Sequence, residues 1–220
     1  MSTAGRPLRI VIINPNTSEH ITALLVHEAS RIAGPDAQIR GVTAPFGSPA
    51  LEGPEELAIA AHAVLEALAA VVDCDAAIIG AFGDPGLDAA RDMVPMPVYG
   101  LGLSGLRAAG ANKRRFAIVT VGSAMRDSIE RAVRDAGLQH SLVALHFIKS
   151  SVLELAGDRH NHLDALVEAA NACVLQYGAE AVLFGGAPFA SIAREIGDRV
   201  AVPVLDGLTC AITDAIAALR

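Results

Sequence analysis

No tryptophan occurs in the sequence, and aromatic residues make up only 4% of its 220 positions. A core without large rings must be filled by Ala, Val, Ile and Leu. Together with 20 glycines, that composition favours close helix-on-sheet layers. Long apolar runs are missing as well. Each is broken by Gly, Pro or a charge, so no segment reads as a membrane span. Positive charge is scarce: 17 Lys and Arg stand against 24 Asp and Glu, for a net charge of −7. The basic residues are scattered, which argues against nucleic acid and anionic membranes as partners. Cysteine is limited to Cys74, Cys173 and Cys210, an odd number without ligand spacing, so neither a disulfide framework nor a metal site is expected. “MSTAGRPLRIVIINPN” enters a strand pattern without an apolar leader. A reducing, cytoplasmic setting is the expectation.

What is present alternates. “LRIVIIN” (8–14) is a β-branched run of the kind covered on both faces of a sheet. “HITALLVHEASRIA” (20–33) has helical spacing, with Asn16, Thr17 and Ser18 as capping residues before it. “AQIRGVT” (37–43) reads as a strand, “PEELAIAAHAVLEALAAV” (54–71) as a helix, and “AAIIGAF” (76–82) and “MPVYGLG” (96–102) as strands. Such βαβ alternation predicts a parallel sheet.

The pattern then restarts. “FAIVTVGS” (116–123) parallels “IVIINPN”, and “SLVALHF” (141–147) parallels “AQIRGVT”. “AVLFGGAPFA” (181–190) parallels “AAIIGAFGDPG”, and “VAVPVLDGL” (200–208) parallels “VPMPVYGLG”. Matching strand ends stand about 106 positions apart, pairing Ile13 with Thr120 and Ala81 with Gly186. The chain reads as an α/β fold of two pseudo-symmetric, doubly wound halves, each with a small parallel sheet. Ligands of such sheets bind beyond the carboxyl ends of the strands, which places the active-site cleft between the halves.

Several loops qualify for chemistry. “INPNTS” (13–18) opens a helix, where backbone N–H groups can bind an oxygen or simply be capped; both readings stand. Thr120 and Ser123 come from the equivalent loop on the same logic. Glu52 reads as a helix-cap acid or, second to that, a substrate contact, His146 and Lys149 as residues near a strand end, and “DRHNH” (158–162) as solvated loop. “GAFGDPG” (80–86) allows close backbone approach to a ligand and holds one ionisable group, Asp84.

“INPNTS”, “PALEGPEELAIA”, “AFGDPGLDAARD” and “VPVLDGL” followed by a small-residue helix resemble the hydantoin and allantoin racemases of the Asp/Glu racemase superfamily, from about residue 8 to the C-terminus. The resemblance implies two pseudo-symmetric domains with the last helix returning to the first: residues 1–98 with 206–220, and 99–205. It implies no metal or organic cofactor, a small-molecule substrate and a homo-oligomer. Two cysteines should face each other across the cleft, one removing the proton beside a carbonyl and the other returning it to the opposite face. The family pattern puts them where this chain has Ala81 and Gly186, and an acidic residue where it has Leu103. Asn14, Asn16, Thr17, Phe82, Gly83, Thr120, Ser123, Gly185, Gly186 and Ala187 are the expected substrate contacts.

Neither a methyl group nor a hydrogen moves a proton. The resemblance therefore implies racemase ancestry and a substrate such as a small cyclic amide or an amino-acid derivative, without two-cysteine proton transfer. Three explanations are open: an engineered racemase, an enzyme of the same fold with other chemistry such as hydrolysis or elimination, or a small-molecule binder. Asp84, Ser123, His146, Lys149 and Asp206 are the candidate replacement bases.

Overall fold

The computed structural model describes residues 6–220. Among the described residues, eight parallel strands form two separate four-stranded sheets. The first contains β1 (Leu8–Asn14), β2 (Ala37–Thr43), β3 (Ala76–Ile79) and β4 (Val98–Gly100), in the order β2-β1-β3-β4. The second contains β5 (Phe116–Thr120), β6 (Leu142–Phe147), β7 (Ala181–Phe184) and β8 (Val204–Asp206), in the order β6-β5-β7-β8. The two orders are the same, so the repeat seen in sequence is a repeat of topology. Register follows it: Ile13 lies beside Val42 and Ile79, and Val119 beside His146 and Phe184.

Alternation along β1 explains its unbroken apolar run. Ile10 and Ile12 pack with Ile21, Leu25 and Ala29 of α1 (Glu19–Ala33). Val11 and Ile13 face Val64, Ala67 and Leu68 of α2 (Pro54–Ala69) on the other side. A strand covered on both faces has no polar face to show. In the second sheet Phe116 and Ile118 pack on Leu106 of α4 (Leu101–Ala109) and on Ile129 and Val133 of α5 (Arg126–Asp135). Ala117 and Val119 join Leu166 and Ala170 of α7 (Leu163–Tyr177). Short helices α3 (Leu87–Met93), α6 (Val152–Gly157) and α8 (Ile192–Ile196) fill the strand-end regions.

The final helix, α9 (Gly207–Ala218), crosses back to pack on α1, β3 and β4, while α4 crosses forward onto β7 and β8. The two crossing helices lie against each other. Their approach is close because Gly207 has no side chain; a Cβ there would stand 2.5 Å from the Leu101 carbonyl oxygen.

Several strands are shorter than their sequence pattern. β3 ends at Ile79, β5 at Thr120, β7 at Phe184, and β4 covers only Val98–Gly100 of the stretch 96–102. Leu101 and Gly102 begin α4 instead, because Asp84 supplies an acceptor to the N–H groups of Gly102 (2.8 Å) and Leu103 (2.6 Å). That cap arrives from a loop distant in sequence.

Candidate functional site

The carboxyl ends of both sheets open into one cleft. Asn16, Leu51 and Gly80–Phe82 line it from the first half. Thr120, Val121, Met125, Ile129, Val152 and Gly185–Pro188 line it from the second. The space amounts to about 490 Å³, its open mouth included. Ala81 and Gly186, paired by the sequence repeat, thus stand on the walls of the same cleft.

The loops are built alike. Each leaves its strand after donating one backbone N–H to the central strand: Gly80 to the Ile13 carbonyl (2.8 Å), Gly185 to the Val119 carbonyl (2.9 Å). Beyond that point the N–H groups of Ala81, Phe82, Gly186 and Ala187 have no acceptor among the described residues. The Phe82 ring crosses to the second loop and rests on Gly185, where a Cβ would be 2.8 Å from it. The Thr120 hydroxyl donates to the Gly185 carbonyl (2.6 Å) and ties β5 to the same loop.

“INPNTS” combines both of its readings. Ser18 is the cap of α1, its Oγ accepting from the Ile21 N–H (3.3 Å). Asn14 is fully buried and shapes the loop: its Nδ2 donates to Asn16 Oδ1 (2.9 Å), the Ser18 carbonyl and Thr22 Oγ1 (both 3.0 Å). Asn16 Oδ1 also accepts from the Ser18 N–H (2.9 Å). The Asn16 carbonyl is therefore occupied, and its amide nitrogen is the donor left for the cleft. Thr17 donates its backbone N–H to the Ser48 carbonyl (3.0 Å) and does not line the cleft.

The candidate bases lie elsewhere. Ser123 is exposed at the start of the turn leading into α5. Lys149 is exposed, and His146 sits half-buried on the edge strand β6. None of the three lines the cleft. Asp206 caps α9, accepting from the N–H (2.8 Å) and hydroxyl (2.9 Å) of Thr209, and burial raises its pKa. Asp84 caps α4, held at φ 47° against Gly100 and Gly102. Gly83, at φ 118°, packs toward Leu57 and Met125. Among the described residues, none lining the cleft carries a titratable side chain. The cysteines do not help. Cys173 and Cys210 are buried in α7 and α9, burial pushes the Cys210 thiol up to about 12, and Cys74 precedes β3 at the far end of the sheet.

Burial raises Asp84 from 3.8 to about 6, against the pull of its two backbone donors. An acid whose folded-state pKa is raised holds its proton more tightly when folded, so ionising it lowers stability. Between pH 3.8 and about 6 the protein is expected to lose stability relative to an Asp84→Asn variant, with a constant gap above that window. Urea unfolding of both proteins across the window checks this; parallel stability curves would refute it.

The apolar wall of Leu51, Met125, Ile129 and Val152 was not legible as site, since such positions look like core in sequence. Val152 arrives through an interlobe contact: Glu52 Oε1 accepts the Val152 N–H (2.6 Å) and caps α6 of the other half. Only the Ser151–Glu154 capping box signalled this helix start.

Paired parallel sheets with strand-end loops meeting between them define a two-lobed α/β protein with an interlobe cleft, the place where such sheets take ligands. Residues 10–215 match the Asp/Glu/hydantoin racemase family, and the chain belongs to it, in the hydantoin racemase branch. It is 29% identical over 217 residues to the hydantoin racemase of Paenarthrobacter aurescens, covering 96% of this chain and 92% of that one. The solved allantoin racemase of Klebsiella pneumoniae superposes with a TM-score of 0.89 at 30% identity, covering 96% of this chain and 87% of its own. The allantoin racemase of Pseudomonas fluorescens gives 0.91 at 29%, with 97% and 91% covered. Among the described residues no helix is long and apolar enough to cross a membrane, and no cluster of three or more His, Cys, Asp or Glu is placed to hold a metal.

Proposed function

We propose that this protein binds a small cyclic amide of the hydantoin or allantoin kind in the interlobe cleft and does not run two-thiol racemisation. The observation that carries the proposal is the lining itself: amide and hydroxyl groups, free backbone N–H groups, apolar walls and no ionisable side chain. A neutral ring carbonyl can accept from the Asn16 amide and the loop N–H groups. A carboxylate would enter without a cation to replace its hydration, which is costly. The neutral amide is thus favoured over an amino-acid derivative.

In this reading Ala81 and Gly186 stand where related racemases keep their two thiols. The chain divides into two lobes close to the expected 1–98 with 206–220 and 99–205, with the cuts moved to the ends of β4 at Gly100 and β8 at Asp206 so that each sheet stays whole; it works without a cofactor, assembles as a homo-oligomer and acts in the cytoplasm. Hydrolysis or elimination would need a base in the cleft. Asp84 and Asp206 are engaged as helix caps, and Ser123, His146 and Lys149 lie outside it.

Calorimetric titration with single-enantiomer 5-substituted hydantoins and with allantoin tests the proposal. Binding without turnover supports it, consumption of the ring replaces it with hydrolysis, and no binding refutes it. Asn16→Ala is expected to weaken binding about tenfold, the effect of one lost hydrogen bond in a desolvated site. An unchanged affinity would remove Asn16 from the ligand.

A further inference from the structure

Arg159 lies in the turn Arg159–His162 and lines none of the cleft. Its guanidinium nevertheless grips the second cleft loop. Nη1 donates to the carbonyls of Pro188 (3.0 Å) and Ala190 (2.6 Å), and Nη2 donates to the Glu195 carboxylate. The Arg159 side chain is 14% exposed and that of Glu195 9%, so water screens the pair little. Pro188 is shared between two spaces. On one side it lines the cleft, and on the other a crevice with Glu28, Arg159, Arg194 and Glu195.

The turn has few bonds of its own. Phe189 donates to the Gly186 carbonyl and Ala190 to the Ala187 carbonyl, both at 3.1 Å. Gly186, at φ 133° and ψ 153°, is in a region open in practice to glycine alone, where the backbone has the most freedom to move. Arg159 fixes the rest of the turn from outside. The segment that carries it is anchored in turn: Glu52 caps α6 at Val152, and the His20 ring shares a 3.0 Å hydrogen bond with the Ala156 carbonyl. Residues 151–159 form a brace from the first-half loop at Glu52 to the second-half loop at Pro188.

We infer that Arg159 is a positioning residue of the cleft, holding the Gly186–Ala190 turn in the conformation that offers the Gly186 and Ala187 N–H groups to a ligand. The last clause rests on the proposed cyclic-amide function; the clamp on the turn does not. A flexible aliphatic side chain at position 159 would leave the Pro188 and Ala190 carbonyls without their charged donor.

Amide hydrogen exchange on the full, ligand-free chain reads this directly, because local opening is reported residue by residue. In Arg159→Met, exchange at Phe189 and Ala190, whose N–H groups are bonded within the turn, should accelerate about tenfold or more, the loss expected for hydrogen bonds to a charged group. The amides of β1 and β5 should keep wild-type protection. Arg159→Lys, with one ammonium for several acceptors, should fall between, and it decides the matter if Arg159→Met does not fold. Hydantoin affinity should drop in the same order, most in Arg159→Met and less in Arg159→Lys. Unchanged exchange in the turn, or acceleration spread evenly over the chain, overturns the inference. If the wild type binds no hydantoin while the turn still responds, the proposed function fails and the clamp stands.

Discussion

In deuterium oxide, one enantiomer of a 5-substituted hydantoin is expected to keep its C5 hydrogen for as long in the presence of this protein as in buffer. Removing that weakly acidic hydrogen requires a base within hydrogen-bond reach, a contribution of roughly two to four orders of magnitude in rate. No cleft-lining residue supplies one. Proton NMR of the C5 signal, run beside polarimetry, measures the rate, and exchange faster than the buffer control would overturn the expectation. Introducing thiols at these two positions should act unequally. Ala81 already has its Cβ at the cleft wall and is 7% exposed, so Ala81→Cys adds a sulfur without asking the backbone to move. One thiol on one face returns the proton to that face, so exchange with retained optical rotation is the expected result; rotation decaying as fast as exchange would show a second acid. Gly186 is different. Its φ of 133° is a conformation that costs a non-glycine residue about 1–3 kcal/mol. A Cβ would find space there, its nearest neighbours lying at 3.5 Å, so the obstacle is the backbone alone. Gly186→Cys should lower the melting temperature by several degrees, at about 2–4 °C per kcal/mol for a chain of this size.

That asymmetry lies in the loops themselves. At position 81 the loop accepts a larger side chain as it stands, whereas at position 186 it has a shape that suits glycine, with Pro188 and the Arg159 clamp around it.

The repeat and both sheets were legible because strand ends recur at a fixed offset and β-branched runs mark strands buried on both faces. The strand-end loops were legible as cleft for the same reason, and Ala81 with Gly186 fell on opposite halves as the offset required. What stayed hidden depends on contacts far apart in sequence. Asp84 resembles a turn former in “FGDPG”, yet its carboxylate caps α4, 18 and 19 positions on. Glu52 reads as the cap of the helix that follows it, whereas it caps α6, 100 positions away. Arg159 sits in a polar stretch that looks solvated, and only the fold brings Pro188 and Ala190 to it. Local patterns specify elements; a polar side chain's partner is fixed by which loop ends the packing brings together.

The two halves should also be separable by a single methyl group. Gly207 opens α9 where it meets the start of α4, and a Cβ would lie 2.5 Å from the Leu101 carbonyl oxygen and 3.0 Å from its carbon. Both are backbone atoms, so no rotamer change relieves the contact. The helices must part, and with them the crossing that joins each half to the other's sheet. Gly207→Ala is expected to cost about 3 kcal/mol, the upper end for overpacking a tight site, which at about 2–4 °C per kcal/mol is close to a 10 °C drop in melting temperature. Gly157, the last residue of α6, provides the control, since a Cβ there meets nothing within 4 Å. Gly157→Ala should leave stability equal or slightly improved, because alanine loses less backbone freedom on folding. A Gly207→Ala protein as stable as the Gly157→Ala control would mean that the α4–α9 contact is looser than its glycine implies. If the contact is as tight as drawn, hydantoin affinity should fall with stability in Gly207→Ala, because the donors from Asn16 and from the Gly186 loop then no longer stand at a fixed distance across the cleft.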